Sequence, residues 1–112
     1  MQTSGKAVRQ KDGVAIVDLP ARIDASAEQT LTDSYQEAVA GSPKRIVLNF
    51  TGVDYLSSTG IALIVGILAR ARTDGRQISA AGLSDHYREI FEITRLADFM
   101  KIFPDETAAV TG

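Results

Sequence analysis

Ser57, Ser58 and Thr59 set three hydroxyls in a row, followed at once by Gly60 and the apolar run IALIVG from Ile61 to Gly66. A hydroxyl at the mouth of such a run can cap a helix, attack a substrate, or accept a phosphoryl group. Capping needs only an oxygen facing the free N–H groups of the first helical turn. Attack needs a neighbouring base, and the one histidine, His86, lies in SDHYRE with no G-x-S-x-G elbow around any serine. Cysteine is absent, which removes thiolate nucleophiles, redox pairs and zinc thiolate sites, and no glycine-lysine pair completes a phosphate cradle. A conventional enzyme, a bound cofactor and a metal site are therefore not expected. His86 reads as a surface residue, and Asp85, Glu89 and Glu92 as one solvated helix side rather than paired acid-base groups.

Capping is the commonest use of a serine in this setting, and the third chemistry uses the same geometry. A phosphoryl group adds about 1.5 to 2 negative charges. At the positive end of a helix a charge of that sign is favoured by about 0.3 to 1 kcal/mol, so the fold would survive it. A partner docked on the helix entrance would not, because an unpaired dianion would be buried against it.

The helix behind the hydroxyls is predicted over Thr59–Arg72, stopped by Thr73-Asp74-Gly75. At 100° per residue, Ile61, Ile64, Val65, Leu68 and Ala71 form a core stripe. The far side carries Ala62, Gly66 and Ala69, flanked by Leu63 and Ile67, and turns polar at Arg70 and Arg72. Small residues in a row admit close approach of another backbone, either a neighbouring helix of the same domain or a docked partner.

The elements that must hold this helix follow from period and punctuation. Lys6–Gln10 and Val14–Leu19 read as a hairpin about Asp12-Gly13, and Ala25–Ala40 as a helix capped by Ser26 or Asp24 and ended by Gly41. Arg45–Phe50 (RIVLNF) has the continuous apolar run of a central strand covered on both faces. Gln77–Ala81 and Lys101–Phe103 are further strands, Ser84–Phe91 and Asp105–Val110 further helices, and Phe91, Leu96, Phe99 and Phe103 packing residues. This alternation predicts an α/β sandwich whose sheet is mostly parallel after its first hairpin.

Length and charge agree with that reading. A chain of 112 residues suits one domain, and a net charge of -2 with mixed signs offers no field for nucleic acid. The polar start and the lack of an apolar stretch of ~18 residues predict a cytoplasmic protein without membrane insertion.

The stretch IVLNFTGVDYLSSTGIALIVG resembles the signature of STAS-domain anti-sigma factor antagonists, in which a central strand and a loop lead into D-S-[ST]-G at the start of a helix. VAIVDLPARIDASA and FEITRLADFMKIFPDETAAV follow the family's order, so the resemblance covers nearly the whole chain. It implies one STAS domain over residues 1–112, an STAS-like sandwich with a mixed, mostly parallel sheet of about four or five strands and about four helices. It also implies a regulatory protein, monomer or weak dimer, that binds an anti-sigma serine/threonine kinase of the GHKL ATPase type and so frees a sigma factor. The kinase phosphorylates it and is released, and a serine phosphatase resets it. Carried over residue by residue, the phosphorylated serine falls on Ser58, with Ser57 as the alternative, the next hydroxyl on Thr59 and the glycine on Gly60. Asp24 matches the acidic position in the hairpin-to-helix link.

Two positions depart from the pattern: Ser57 and Asn49 stand where the family commonly has aspartate, which lowers local negative charge and leaves Asp54 and Asp24 to supply acidity. The expected partner-binding residues are Asp24, Asp54, Ser57, Ser58, Thr59, Gly60, Ala62, Leu63, Gly66, Ile67 and Arg70. Rival readings within the resemblance are an accessory subunit of an ABC-type lipid transporter and a stressosome-like scaffold.

Overall fold

The hairpin forms where Asp12-Gly13 predicts it. β1 (Val8–Lys11) and β2 (Val14–Asp18) pair antiparallel with Lys11 opposite Val14, and the two turn residues both take positive φ, 54° and 80°. That is the tight turn whose twist matches paired strands, and glycine meets its second position without strain. The computed structural model describes residues 7–112, so Lys6, expected in the first strand, lies outside the described residues.

The chain continues through β3 (Arg22–Ile23), a 3-10 turn at Ala25–Ala27, α1 (Glu28–Ala40), β4 (Arg45–Asn49), β5 (Tyr55–Leu56) and α2 (Ser58–Thr73). β6 (Gln77–Ala81), α3 (Asp85–Ile93), a 3-10 turn at Leu96–Asp98, β7 (Lys101–Phe103) and α4 (Glu106–Thr111) complete it. The main sheet runs β1-β2-β4-β6-β7, with every pair after the hairpin parallel. β4 is central, as its apolar run predicts: Ile46, Val47 and Leu48 are fully buried. α1, α2 and α3 cover the face bearing Ala15, Val17, Ile46, Leu48 and Ala80, where Phe50 meets Phe91 edge to face at 5.5 Å. α4 covers part of the other face, over Val14, Ile16, Val47 and Ala81. Phe99, expected to pack, is 62% exposed, although Leu96 and Met100 in the same segment are buried.

The departure at Asn49 has a local cause. Asn49 and Asp18 are register partners at the carboxyl ends of β4 and β2. Asn49 Nδ2 donates to Asp18 Oδ1 at 2.8 Å, while its Oδ1 accepts from the Thr51 hydroxyl at 2.7 Å and the Thr51 N–H at 3.2 Å. Arg9 holds Asp18 from the other side, Nε to Oδ2 at 2.6 Å, and chiefly this guanidinium keeps the Asp18 carboxyl below its ordinary range. An aspartate at 49 could only accept, and would face a second carboxylate. We expect Asn49→Asp to lose about 1 kcal/mol of stability at neutral pH, since the pair is partly solvated. The two carboxylates would share a proton, so one folded-state pKa is raised and the deficit shrinks as pH falls toward that value. Urea unfolding at pH 7 and pH 5 measures both; a deficit unchanged by pH would contradict the electrostatic cause.

Candidate functional site

Ser57, Ser58 and Thr59 separate into different roles. Ser57 has extended backbone and is the N-cap of α2: its Oγ accepts the Gly60 N–H at 3.0 Å. Ser58 is therefore not the cap; it is the first helical residue, and it is exposed, as is Thr59. This accounts for serine at position 57, because serine and aspartate are both strong caps, each offering a short-chain oxygen to the first turn. Ser57 keeps the acceptor and omits the charge. Neither histidine nor carboxylate bonds the Ser58 hydroxyl among the described residues, so nothing described in this chain activates it as a nucleophile.

The cap rests on a second, two-stranded sheet that sequence reading treated as linker. β3 and β5 pair in parallel, Arg22 with Tyr55 and Ile23 with Leu56, and this joins the hairpin-to-helix link to the loop before α2. The Ile23 carbonyl accepts the Ser57 N–H at 3.0 Å, and the Ala21 carbonyl accepts the Asp54 N–H at 2.7 Å. From α3, the Tyr87 hydroxyl accepts the Leu56 N–H at 2.9 Å. Gly60, expected on the partner face, is buried against this small sheet. A Cβ there would lie 2.1 Å from the Ile23 carbonyl oxygen, so its first duty is to let the helix approach a strand.

The two expected carboxylates come to the same end of the molecule by different means. Asp54 is exposed in the loop before β5. Asp24 turns back on its own segment: the Ser26 hydroxyl, the Arg22 guanidinium at 2.7 Å and the Ser26 N–H hold it charged, with a pKa lowered to about 2. Arg22 also lies over the Tyr55 ring at 4.5 Å. Arg22, Tyr55 and Tyr87 were not singled out from sequence; Tyr55 carried the one available signal, a large ring inside a polar loop.

α2 presents its small residues outward. Ala62, Gly66 and Ala69 are exposed, no helix among the described residues covers them, and a Cβ on Gly66 would meet nothing within 4 Å. The face is rotated by about 50° from the expected one. Gly60, Ile64, Ile67, Leu68 and Ala71 form the buried side. Ile67 is thus a core residue, 7% exposed, and not part of a partner face, while Val65, expected in the core, is 44% exposed. Leu63 is half-buried and packs on the core edge. The rotation follows from Gly60: with the first turn pressed onto β3, the helix side bearing Gly60 must face inward. Arg70 is exposed but lies over the Tyr35 ring at 5.0 Å, and the Tyr35 hydroxyl donates to Asp74 at 2.7 Å, so Arg70 helps tie α2 to α1. The exposed stripe that results runs Ser58, Ala62, Val65, Gly66, Ala69, with the candidate acceptor at its head.

A model of the STAS domain family matches residues 6–109. An anti-sigma-B factor antagonist of Staphylococcus aureus is 33% identical over 75 residues, which span 67% of this chain and 66% of that protein. Among solved structures, the Bacillus cell fate determinant SpoIIAA in its phosphorylated form is similar with a TM-score of 0.70 at 18% identity, over 93% of this chain and 95% of that one. A sulfate transporter family protein from Wolinella succinogenes is similar with a TM-score of 0.78 at 15% identity, over 90% of this chain and 84% of that one. Among the described residues no helix is long and apolar enough to cross a membrane.

Proposed function

This chain belongs to the STAS domain family, and from that premise we propose that it is an anti-sigma factor antagonist, a regulatory protein whose association with an anti-sigma kinase is switched at Ser58. The observation that carries the reading is the position of Ser58: exposed, first in the helix, and continuous with an uncovered small-residue face. Unmodified, that face admits a partner backbone at Ala62, Gly66 and Ala69. Phosphorylated, Ser58 places a dianion at the entrance to the same face, where the helix dipole tolerates it and a docked partner does not. A GHKL-type kinase would supply the phosphoryl group and the base that this chain lacks at Ser58, and a serine phosphatase would remove it. The relative from Staphylococcus aureus supports the antagonist reading over the transporter-subunit one, since the likeness to the transporter family protein rests on fold alone.

Incubation with the cognate kinase and ATP, followed by mass spectrometry, tests the site. Phosphate is expected on the peptide containing Ser58 and absent from Ser58→Ala. Ser57→Ala should still be modified while losing about 1 kcal/mol of stability through its missing cap. Undiminished phosphate on Ser58→Ala would move the switch elsewhere.

A further inference from the structure

β7 is too short to cover β6. Lys101–Phe103 pairs with Ser79–Ala81, so the outer edge of Gln77 and Ile78 has no strand beside it. Register partners share a face of a sheet. Arg45 and Gln77 therefore lie together on the α4 side, as do Ser79 and Lys101, while Ile78 points to the opposite side, toward α2. α4 has six residues, and its last turn borders this corner: Arg45 Nη2 donates to the Ala109 and Val110 carbonyls, and Gly112 lines the cavity.

A cavity of about 790 Å³ wraps the uncovered edge, a volume within the range of small-molecule sites. Its two walls differ in kind. Leu68, Ile78, Leu96 and Phe99 make one side apolar, with the exposed Phe99 ring as its lip under the Arg72 guanidinium at 5.8 Å. Arg45, Ser79 and Lys101 make the other side polar, with Arg76 nearby. Asp98, the carboxylate among the lining residues, is held by Arg95 at 2.6 Å and does not neutralise these cations.

Polar valence is also left over at this wall. Ser79 is 4% exposed, and its hydroxyl has no hydrogen-bond partner among the described residues; the same is true of Nε in Arg45 and in Arg76. Buried polar groups are normally paired; the Arg45 and Arg76 guanidiniums already donate through other nitrogens to the Val110 and Pro43 carbonyls, which leaves the Ser79 hydroxyl as the side chain at this wall with no partner among the described residues. Excess positive charge sets the sign of an acceptor at this wall, and the apolar wall sets the character of what is attached to it.

We propose that this corner binds an amphipathic organic anion of the fatty-acid type, its carboxylate at Arg45, Ser79 and Lys101 and its alkyl body along Ile78, Leu68 and Phe99. The site lies toward the end of α2 away from Ser58, and its rim shares Val65 and Ala69 with the outer stripe of that helix.

Proton–nitrogen NMR titration of the full chain tests it with three probes: dodecanoate, dodecyltrimethylammonium and acetate. Dodecanoate is expected to give saturable shifts at Ile78, Ser79, Phe99 and Lys101, with affinity at least about tenfold above either other probe. Lys101→Glu and Phe99→Ala alter exposed side chains and should each weaken dodecanoate by about fivefold or more while the rest of the spectrum is retained. Equal shifts with the cationic amphiphile would mark generic detergent binding and overturn the proposal, as would wild-type affinity in Lys101→Glu or the absence of saturable shifts.

Discussion

Gly60→Ala is expected to unfold about 10 °C below the unaltered chain. Two effects oppose each other in this substitution. Alanine is the better helix former by about 1 kcal/mol. Its Cβ, however, would sit 2.1 Å from the Ile23 carbonyl oxygen and 2.8 Å from the carbonyl carbon, inside any permitted contact. A flexible side chain could swing away; this backbone cannot easily do so, because the same carbonyl accepts the Ser57 N–H. Relieving the clash means parting β3 from α2, and overpacking of that kind costs about 1 to 3 kcal/mol, occasionally more. Because the blocking atoms are backbone, the cost falls at the upper end of that range and the clash wins by up to about 2 kcal/mol; each kcal/mol moves the midpoint of a domain this size by about 4 to 8 °C. Gly66→Ala supplies the opposite sign in the same helix: with nothing near its Cβ it should gain up to about 1 kcal/mol and melt a few degrees higher. Circular dichroism melts of the two variants decide the matter, and a Gly60→Ala midpoint at or above that of the unaltered chain would refute the close approach.

The contrast between these glycines also explains what could be read before the fold was known. β2 and β4 were legible because continuous apolar runs between turn residues carry their own evidence, and the hairpin because Asp12-Gly13 meets the backbone demand of a two-residue turn. The pair β3–β5 was not legible. Each strand has two residues, too few to show a period, and their pairing joins positions more than thirty apart. Missing that contact displaced the reading of α2. Apolar periodicity places a core stripe only to within a residue or so, and Gly60 contributes nothing to it although it marks the most tightly packed point of the helix. So Ile67 and Val65 exchanged places, while Ala62, Gly66 and Ser58 were found on the outer face as expected. Which serine caps α2 was open for a related reason, since adjacent serines are equivalent in sequence and only the course of β5 decides which oxygen faces the first turn.

That division of labour among the hydroxyls makes Ser58→Glu the sharpest test of function. A carboxylate at the first helical position interacts favourably with the free N–H groups and the helix dipole, by about 0.3 to 1 kcal/mol at an exposed site, so the thermal midpoint should hold or rise slightly. Ser57 still caps the helix, and Gly60 still meets Ile23, so the fold loses nothing it depends on. Partner binding should behave differently. Burying even one unpaired charge under a docked backbone costs several kcal/mol, and after partial relaxation an affinity loss of at least about 100-fold, or about 3 kcal/mol, is expected in calorimetry with the anti-sigma partner. Gly66→Arg attacks the same face by bulk about 12 Å further along the helix and should weaken binding while leaving the melt intact or improved. The two variants separate charge from shape: loss in both places the interface along the outer stripe of α2, and loss in Ser58→Glu alone confines it to the helix entrance. Tight binding by Ser58→Glu, with its fold intact, would remove Ser58 from the interface and the switch with it.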